Sequence, residues 1–397
     1  MDYPADLSFL FVNPTRVVYG AGSSGEVGVE LGALGCRRAL VVTDRFLEQK
    51  TDIVAKVVKS LGAACAVVFS DVPADSGVHT VNAGAELGRA NGADSIVSIG
   101  GGSVIDTAKG IAILLTEGGS LLDHQGFQLL TRRQTPHICV PTTAGTGSEV
   151  TYFAIIKDHE RKRKLSFGDY HIIPDVAILD PTLTVGLPPV LTAATGLDAF
   201  SHGYEALTSA LREPISDALG LHAIRLIRKF LPIAVKNGPD IGARGQMLVA
   251  ATIAGAAFSN AQVGLCHAIA HVVGARHGVH HGLANAIAMP HVIRFNNDVV
   301  PDRHRLVAEA MDVDVRGLSD EAAGIKAAEA VSAFVREVGL PLTFREAGVP
   351  ESDLAACAEM TLSDGAIVQN AKPVLDPRDV LGVLTAAWSG APAAGSV

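Results

Sequence analysis

The stretch DSIVSIGGGSVIDTAKG, residues 94–110, contains the strongest fold signal in the chain. An apolar, β-branched run ends in the glycines Gly100 to Gly102, and a helical pattern starts directly after them. A strand that turns into a helix over glycines is typical of the first half of a βαβ unit. Because Ser103 can cap that helix, its N-terminus is a potential binding place for a phosphate. The stretch therefore predicts a parallel sheet with an anion site at one strand end.

Strand and helix patterns alternate through the first half of the chain. The runs RALVVTD (38–44), ACAVVFS (64–70), DSIVSIG (94–100) and HICVPT (137–142) predict strands, with helical patterns between them, for example over 77–90 and 104–115. The strand pattern stops after VAILDPTLTVGLPP (176–189), and from Val190 onward the pattern is helical. The sequence predicts an α/β domain with a Rossmann-like parallel sheet over residues 1–188. An all-helical domain is predicted over residues 189–397, with a ligand cleft between the domains.

Composition disfavours several classes of partner. The 397 residues are 48% hydrophobic and 18% charged, and the net charge is −9 without a basic stripe. Such a chain is poorly suited to nucleic acid or to anionic membranes. Five scattered cysteines without a CxxC pair, and an N-terminus without a basic and apolar leader, predict a cytoplasmic protein with reduced thiols. The uncharged run 247–275 is long enough to span a bilayer, but it is rich in Ala and Gly and predicts a buried helix.

Two glycine-rich turns compete as the phosphate site. VVYGAGSSGEVG (17–28) carries Gly20, Gly22 and Gly25 in a G-x-G-x-x-G spacing, and Asp44 follows at the distance expected of a Rossmann fingerprint. The second turn is the Gly100–Gly102 run. The residues alone leave both turns open, since either one can be a plain tight connection.

Histidine is concentrated in GLCHAIAHVVGARHGVHHG (264–282), which holds five of the chain's 14 histidines. His267 and His271 are four residues apart, and so are Asp198 and His202 in GLDAFSHG. This spacing places both members of a pair on one face of a helix. One carboxylate with several imidazoles suits Fe²⁺ or Zn²⁺. Each pair by itself is also compatible with an ordinary helix face.

Four ordered motifs resemble the iron-containing (group III) alcohol dehydrogenase family. They are GGGSVIDTAKG (100–110), PTTAGTGSEVT (141–151), GLDAFSHGYEA (196–206) and HAIAHVVG…HGLANAIAMPHV (267–292). The resemblance implies a dehydroquinate-synthase-like α/β domain followed by a helical domain, with NAD as cofactor and NADP as the alternative. It implies that the pyrophosphate binds at Gly101, Gly102 and Ser103, and that the Gly20–Gly25 turn is structural. The remaining cofactor contacts that it implies are Thr142, Thr143, Thr146 and Lys164.

The same resemblance implies a catalytic metal ion, Fe²⁺ with Zn²⁺ as the alternative. Its implied ligands are Asp198, His202, His267 and His281, and His271 is implied as a proton carrier beside them. Phe153 and Phe258 are predicted to line the substrate pocket. His277 is expected on the surface or in a loop, and neither it nor His280, which stands where many members carry proline, has an implied role.

Two features bear on the adenosine half of the cofactor. Asp44 ends a predicted strand, where its carboxylate can accept hydrogen bonds from ribose hydroxyls and repel a 2′-phosphate. This favours NAD over NADP. The segment DVPADSGVHTV (71–81) lacks the Pro-Asn-Pro-Thr of many family members, so contacts there stay open.

These features predict a metal-dependent, NAD-linked alcohol dehydrogenase or aldehyde reductase. The expected partners are a small alcohol or aldehyde and further copies of the chain, as a homodimer or larger assembly. Three other enzymes fit the sequence: a hydroxyacid–oxoacid transhydrogenase, a metal-free maleylacetate-reductase-like enzyme, and a dehydroquinate-synthase-like lyase. The lyase needs a basic cluster for its phosphate, and the basic run ERKRKLS (160–166) is instead predicted to be a surface loop with Lys164 at the cofactor.

Overall fold

The computed structural model describes residues 3–74, 76–159 and 163–390, and it divides the chain into two compact units. One unit runs from Val12 to Gly186, and the other combines the segment up to Phe11 with the chain from Leu187 onward. The first unit thus lacks the first eleven and the last two residues of the predicted domain 1–188. The hydroxyl of Tyr3 hydrogen-bonds Asp217, and the guanidinium of Arg303 lies 5.4 Å from the centre of the Tyr3 ring, so the N-terminal segment is held by helical residues.

Six parallel strands form the main sheet of the α/β unit. They are β1 (Arg16–Tyr19), β2 (Ala39–Val42), β3 (Cys65–Phe69), β4 (Ser95–Gly100), β6 (His137–Pro141) and β9 (Val176–Leu179). Their order across the sheet is β1-β9-β6-β4-β2-β3, and every pairing is parallel. The four runs predicted as strands are all in this sheet, within two residues at either end. The strands β2, β4 and β6 are fully buried because a parallel sheet is covered on both faces, whereas the edge strand β3 is mostly half-buried.

Helices cover both faces of this sheet. They are α1 (Val27–Ala33), α2 (Arg45–Lys50), α3 (Ile53–Leu61), α4 (Val78–Ala90) and α5 (Gly102–Glu117). Alternate residues of β2 pack into two different hydrophobic clusters. Leu40 and Val42 pack with residues of α4 and α5, whereas Ala39 and Val41 pack with residues of α1 and α3. The alternation follows from the two-residue period of a strand.

A second, three-stranded sheet departs from the prediction. It contains β5 (Gly126–Phe127), β7 (Phe153–Asp158) and β8 (Arg163–Gly168) in the order β5-β8-β7, with β7 and β8 antiparallel. The basic run predicted as a loop therefore ends in β8, while its residues 160–162 lie outside the described residues. Buried and half-buried positions alternate along β7, as in a sheet with one covered face. Apolar Phe153 and Ile155 on the more open face, and Asp158 on the buried face, hide this alternation in the sequence.

Within the described residues, the regular secondary structure of the second unit is helical. Its helices are α6 (Pro189–Thr208), α7 (Pro214–Lys236), α8 (Ile241–Ala261), α9 (Leu265–His277), α10 (His281–Asn296), α11 (Pro301–Ala310), α12 (Asp320–Glu337), α13 (Leu354–Thr361) and α14 (Pro377–Ser389). Several begin at a polar residue whose side chain accepts a backbone N–H, as Asp240, Ser319 and Asp376 do. The predicted fold class, a parallel α/β sheet followed by an all-helical region, is confirmed.

The uncharged run 247–275 forms parts of two helices rather than one. Helix α8 ends at Ala261, Gln262 has a φ of +67°, and α9 begins at Leu265. Within the described part of the chain, α8 is the helix whose length and composition would allow it to cross a bilayer. However, 67% of its most apolar 18-residue stretch is buried inside the protein. Both helices bury most of their residues, as predicted for a core segment.

Candidate metal centre and cofactor site

Three of the four predicted metal ligands converge in the helical unit. Asp198 on α6, His267 on α9 and His281 at the start of α10 each offer one ligand atom, and these atoms lie within 4.8 Å of one another. Oδ1 of Asp198 is 3.5 Å from Nε2 of His281 and 4.0 Å from Nε2 of His267. One carboxylate and two imidazoles are donors that suit Fe²⁺ or Zn²⁺. Since Asp198 and His267 are buried, the set also fits a charged ion shielded from water.

Asn285 bridges the same three donors. Its Nδ2 donates to Oδ1 of Asp198 at 3.0 Å and lies 3.3 Å from Nε2 of both His267 and His281. The residue is fully buried on α10, in the motif HGLANA. A buried amide with these partners holds the three donor side chains in fixed positions. Asn285 follows His281 by four residues, so the same-face spacing is a signal that could have indicated this contact.

Gly282 permits the close approach of α10 to α6. A Cβ at residue 282 would lie 2.1 Å from the carbonyl oxygen of Ala194 and 3.1 Å from the Cβ of Asp198. Only glycine allows backbones to come this close. The residue next to His281 therefore sets how near that imidazole comes to Asp198.

His202 lies against the three converged donors. Its ring stacks on His267 with centroids 4.6 Å apart and on Phe258 with centroids 4.1 Å apart. It is not in the group whose ligand atoms lie within 4.8 Å, so its role as the fourth ligand stays a prediction. The contact also places Phe258, a predicted pocket residue, directly beside the cluster.

Glu205 on α6 is a site residue that the sequence reasoning missed. Its Oε2 accepts a hydrogen bond from Nδ1 of His267 at 2.6 Å, and its Oε1 accepts one from the backbone N–H of Cys266 at 2.7 Å. With Nδ1 donating, Nε2 of His267 presents a lone pair, which is the tautomer that binds a cation. Glu205 follows Asp198 by seven residues, and this same-face spacing is a signal that could have indicated it.

His271 lies beside the cluster, as predicted for a proton carrier. Its ring is parallel to that of His281 at a centroid distance of 5.3 Å. Its Nδ1 is 2.9 Å from Oδ2 of Asp364, which caps the short 3-10 helix Gly365–Gln369. Both side chains are partly open to water, which a group that exchanges protons requires. Asp364 lies 93 residues further along the chain, so no spacing could have indicated it.

The two histidines without an implied role lie apart from this cluster. His280 is exposed and directly precedes α10. His277, expected on the surface or in a loop, is instead the last residue of α9 and is half-buried. Its Nε2 is 2.8 Å from Oδ2 of Asp353, so an ion-pair partner holds it at the helix end.

The residues predicted to bind the pyrophosphate lie at the start of α5, next to the loop that carries Thr143 and Thr146. A Cβ on Gly101 would be 3.1 Å from Oγ1 of Thr143, and a Cβ on Gly102 would be 2.7 Å from Cγ2 of Thr146. Ser103 lies in the same first turn of the helix. Unsatisfied N–H groups and the helix dipole attract anions at such an N-terminus. The closeness of loop and helix supports a phosphate site bordered by threonine hydroxyls.

Thr142 and Lys164 have different neighbours within the α/β unit. The backbone N–H of Thr142 donates to the carbonyl of Gly100 at 3.1 Å, where β4 ends. Burial raises the pKa of Asp106 in the early part of α5, and the charges of Lys109 and Lys164 act against this rise. The roles of Thr142 and Lys164 at the cofactor stay predictions.

The competing Gly20–Gly25 turn is filled by a carboxylate of the protein itself. Asp180 accepts hydrogen bonds from the backbone N–H of Gly22 at 3.0 Å and from that of Ser24 at 3.2 Å. The hydroxyl of Ser24 donates to it as well, at 2.6 Å. A phosphate would have to compete with this carboxylate for the same donors. The contacts support the interpretation of the turn as structural.

Two further predicted residues have structural partners within the α/β unit. Asp44 follows β2 and caps α2, its Oδ1 accepting the N–H of Leu47 at 2.8 Å. The ring of Phe153 stacks on Tyr152 at 4.1 Å and meets Phe127 edge-on at 6.1 Å. The roles of Asp44 at the ribose and of Phe153 in the substrate pocket stay predictions.

Both halves of the chain match models of the same protein family. Residues 14–181 match the model of the iron-containing alcohol dehydrogenase family, and residues 192–388 match the model of its C-terminal region. The NAD-dependent methanol dehydrogenase of Bacillus methanolicus is 40% identical over 358 residues, which cover 89% of this chain and 93% of that protein. The 1,3-propanediol dehydrogenase of Klebsiella pneumoniae is 38% identical, with 91% and 94% covered.

A solved structure of 1,3-propanediol oxidoreductase has the same fold. It matches with a TM-score of 0.93 and 36% identity, and the match covers 96% of this chain and 100% of that one. Sequence and structure thus agree from the α/β unit to the helical unit. The protein is an oxidoreductase that acts on CH–OH groups, and it belongs to the iron-containing alcohol dehydrogenase family.

Proposed function

We propose that this chain interconverts small primary alcohols and their aldehydes, with NAD as the hydride carrier and a divalent cation held by Asp198, His267 and His281. The observation that supports the proposal most directly is the convergence of those three donors from three helices. Relatives named for methanol and 1,3-propanediol support a small substrate. His202 completes the proposed ligand set.

A cation bound by Asp198, His202, His267 and His281 would supply a Lewis acid for the substrate oxygen, and NAD would supply the hydride acceptor. Asp198 would be the one anionic side chain of this ligand set. Glu205 keeps His267 in the tautomer that presents Nε2. Phe258, stacked on His202, excludes water from one side of the cluster.

His271 is the proposed proton carrier. Nδ1 of His271 is hydrogen-bonded to Asp364. Nε2 of His271 is therefore the atom proposed to take up the hydroxyl proton during oxidation and to return it during reduction. Imidazole is suited to this task because its ordinary pKa is close to physiological pH. The partial exposure of both side chains gives the proton a route to water.

In the α/β unit, we assign the pyrophosphate to Gly101, Gly102 and Ser103. Thr142, Thr143, Thr146 and Lys164 are proposed to surround the rest of the cofactor. Asp44 is proposed to bind the ribose and to favour NAD over NADP. We further propose Fe²⁺ over Zn²⁺ as the resident ion, a homo-oligomer as the working form, and the cytoplasm as the compartment. The compartment rests on five free cysteines.

A panel of alcohols and aldehydes tests this function. Protein stripped with a chelator and reloaded with Fe²⁺ or Zn²⁺ is assayed for production or consumption of NADH. We expect turnover with short primary alcohols only after reloading, and more with Fe²⁺ than with Zn²⁺. Full activity of stripped protein would point instead to a metal-free, maleylacetate-reductase-like enzyme. Hydride exchange between two substrates without net NADH would indicate a transhydrogenase, and turnover of a phosphorylated substrate without net redox change would indicate a lyase.

A further inference from the structure

A second group of side chains of the metal-ligand type lies at the other end of α9. His277 is the last residue of that helix, Asp353 ends the 3-10 helix Glu351–Asp353, and Cys357 lies in the first turn of α13. One ligand atom of each lies within 4.8 Å of the others. An imidazole nitrogen, a carboxylate oxygen and a thiol sulfur are the donor types that bind Zn²⁺ in proteins.

The distances among these donors resemble one face of a tetrahedral site. Nε2 of His277 is 2.8 Å from Oδ2 of Asp353, and Sγ of Cys357 is 3.8 Å from each of them. Zinc bonds of about 2.0–2.1 Å to N and O and about 2.3 Å to S place N and O about 3.3 Å apart, and S about 3.6 Å from either. Side-chain shifts of about half an ångström therefore suffice to bind the ion.

The surroundings allow an ion to enter and water to complete its coordination. The side chains of His277 and Asp353 are 15% and 23% exposed, whereas Cys357 is buried. An ion would therefore reach the donors from the side of His277 and Asp353, with the thiol on the inner side. The carbonyl groups at the C-terminus of α9 carry partial negative charge, which favours a cation at this end of the helix.

Two features oppose binding, and both can be displaced. Arg276 donates from Nη2 and Nε to the two oxygens of Asp353 at 2.6 and 2.7 Å, and its Nη1 is 3.3 Å from Sδ of Met360. The two charge-assisted hydrogen bonds of this bidentate pair stabilise both side chains, so an incoming ion has to replace them. Burial, together with the charge of Asp353, raises the pKa of the Cys357 thiol to about 11, so binding must release a proton.

We propose that His277, Asp353 and Cys357 form a second divalent-cation site, of the zinc type and separate from the Asp198 cluster. The site gives a function to a histidine that the alcohol dehydrogenase chemistry does not use. An ion bound there ties the C-terminal end of α9 to α13. Because α9 also carries His267 and His271, the second ion stabilises the helix on which the first site depends.

Cadmium titration of the metal-loaded protein tests the proposal, since a cadmium–thiolate bond has its own ultraviolet charge-transfer band. We expect one additional equivalent of Cd²⁺ to produce this band and excess Zn²⁺ to remove it. Cys357→Ser should abolish the band and weaken binding of this equivalent at least tenfold. Cys65→Ser, at a half-buried cysteine on β3, is the matched control and should leave both unchanged. A band that persists in Cys357→Ser overturns the proposal.

Arg276→Gln separates an ion site from a simple ion-pair network. If the cluster binds an ion, removal of the competing guanidinium tightens binding of the additional Cd²⁺ about tenfold, and Zn²⁺ then raises the midpoint of thermal unfolding. If the residues only form ion pairs, the substitution lowers that midpoint and no additional equivalent binds, which contradicts the proposal. Alcohol turnover is recorded in parallel, so failure at the Asp198 cluster is seen separately.

Discussion

Glu205 and His267 form a buried carboxylate–imidazole pair in which Oε2 accepts a hydrogen bond from Nδ1 at 2.6 Å. Both side chains are at most 4% exposed, so water does not compete for the bond. Because the carboxylate also accepts the N–H of Cys266, it links α6 to the first turn of α9. Glu205 is therefore a positioning residue for a proposed metal ligand.

Glu205→Gln should weaken cation binding about 10–100-fold, the usual effect of losing an outer-shell partner. A neutral amide can donate or accept at Nδ1, so it no longer fixes the tautomer of His267. Competition with a chromophoric chelator measures the affinity for Zn²⁺ or Co²⁺, and the visible spectrum of the Co²⁺ form reports the ligand geometry. Glu205→Asp, which keeps the charge on a shorter side chain, should recover part of the affinity.

Glu213→Gln is the matched control for this prediction. Glu213 is also a buried carboxylate, but it caps α7 by accepting the N–H groups of Ile215 and Ser216 at 2.8 and 2.7 Å. Its loss should cost stability, about 1 kcal/mol for a helix cap, without a change in metal affinity. Equal affinities in wild type and Glu205→Gln would show that the pair has no role at the metal.

Asp198→Ala should abolish both metal binding and alcohol turnover while NADH still binds. The substitution removes the carboxylate of the converged donor set, and the predicted cofactor residues belong to the other unit. Elemental analysis, an NADH fluorescence titration and a turnover assay read the three properties separately. His267→Ala should behave in the same way. Retention of most of the turnover in either variant contradicts the metal role.

Gly22→Ala should leave NADH affinity nearly unchanged and lower stability by about 1–2 kcal/mol, because Gly22 has a φ of +85° that an L-residue adopts at a cost. By contrast, Gly102→Ala should weaken NADH binding at least tenfold, since its Cβ would lie 2.7 Å from Thr146. Fluorescence titration and thermal unfolding of both variants distinguish the two turns. The reverse ranking of NADH affinities would assign the phosphate to Gly20–Gly25.

Asp44→Ser should shift cofactor preference toward NADP without a loss of stability. Serine keeps the cap on α2 that Asp44 provides through the N–H of Leu47, but it removes the charge that repels a 2′-phosphate. Asp44→Ala should show the same shift and lose about 1 kcal/mol. The ratio of kcat/KM for the two cofactors measures the shift, and an unchanged ratio removes Asp44 from the cofactor site.

The sequence indicated those parts of the fold that depend on local patterns. The central strands β2, β4 and β6 lie in mainly apolar runs, and the first helix of the helical unit begins within the Pro188-Pro189 pair. The sequence did not indicate the β7–β8 pair, because β7 has apolar residues on both faces and a carboxylate, Asp158, on the buried one. The attachment of the N-terminal segment through Tyr3 to Asp217 depends on a contact across 214 residues, which no local pattern reports.

The candidate site likewise contains residues that local spacing indicated and residues that only tertiary packing brings together. Spacing of four along a helix indicated the Asp198–His202 and His267–His271 pairs, and the family resemblance selected His281. Glu205 was available from a spacing of seven on the same helix face. Asp364 and Asp353 approach α9 from distant parts of the chain, and only tertiary packing brings them to His271 and His277.

Gly282 sets the spacing between α6 and α10, which carry two of the proposed metal ligands. Since a single methyl group at this position would collide with the main chain of α6, any larger residue must force α10 outward and carry His281 with it. Helix spacing at Gly282 thereby sets the distance between Asp198 and His281, two of the proposed ligands. A side chain placed at this position would alter the ligand set without replacing any of its donors.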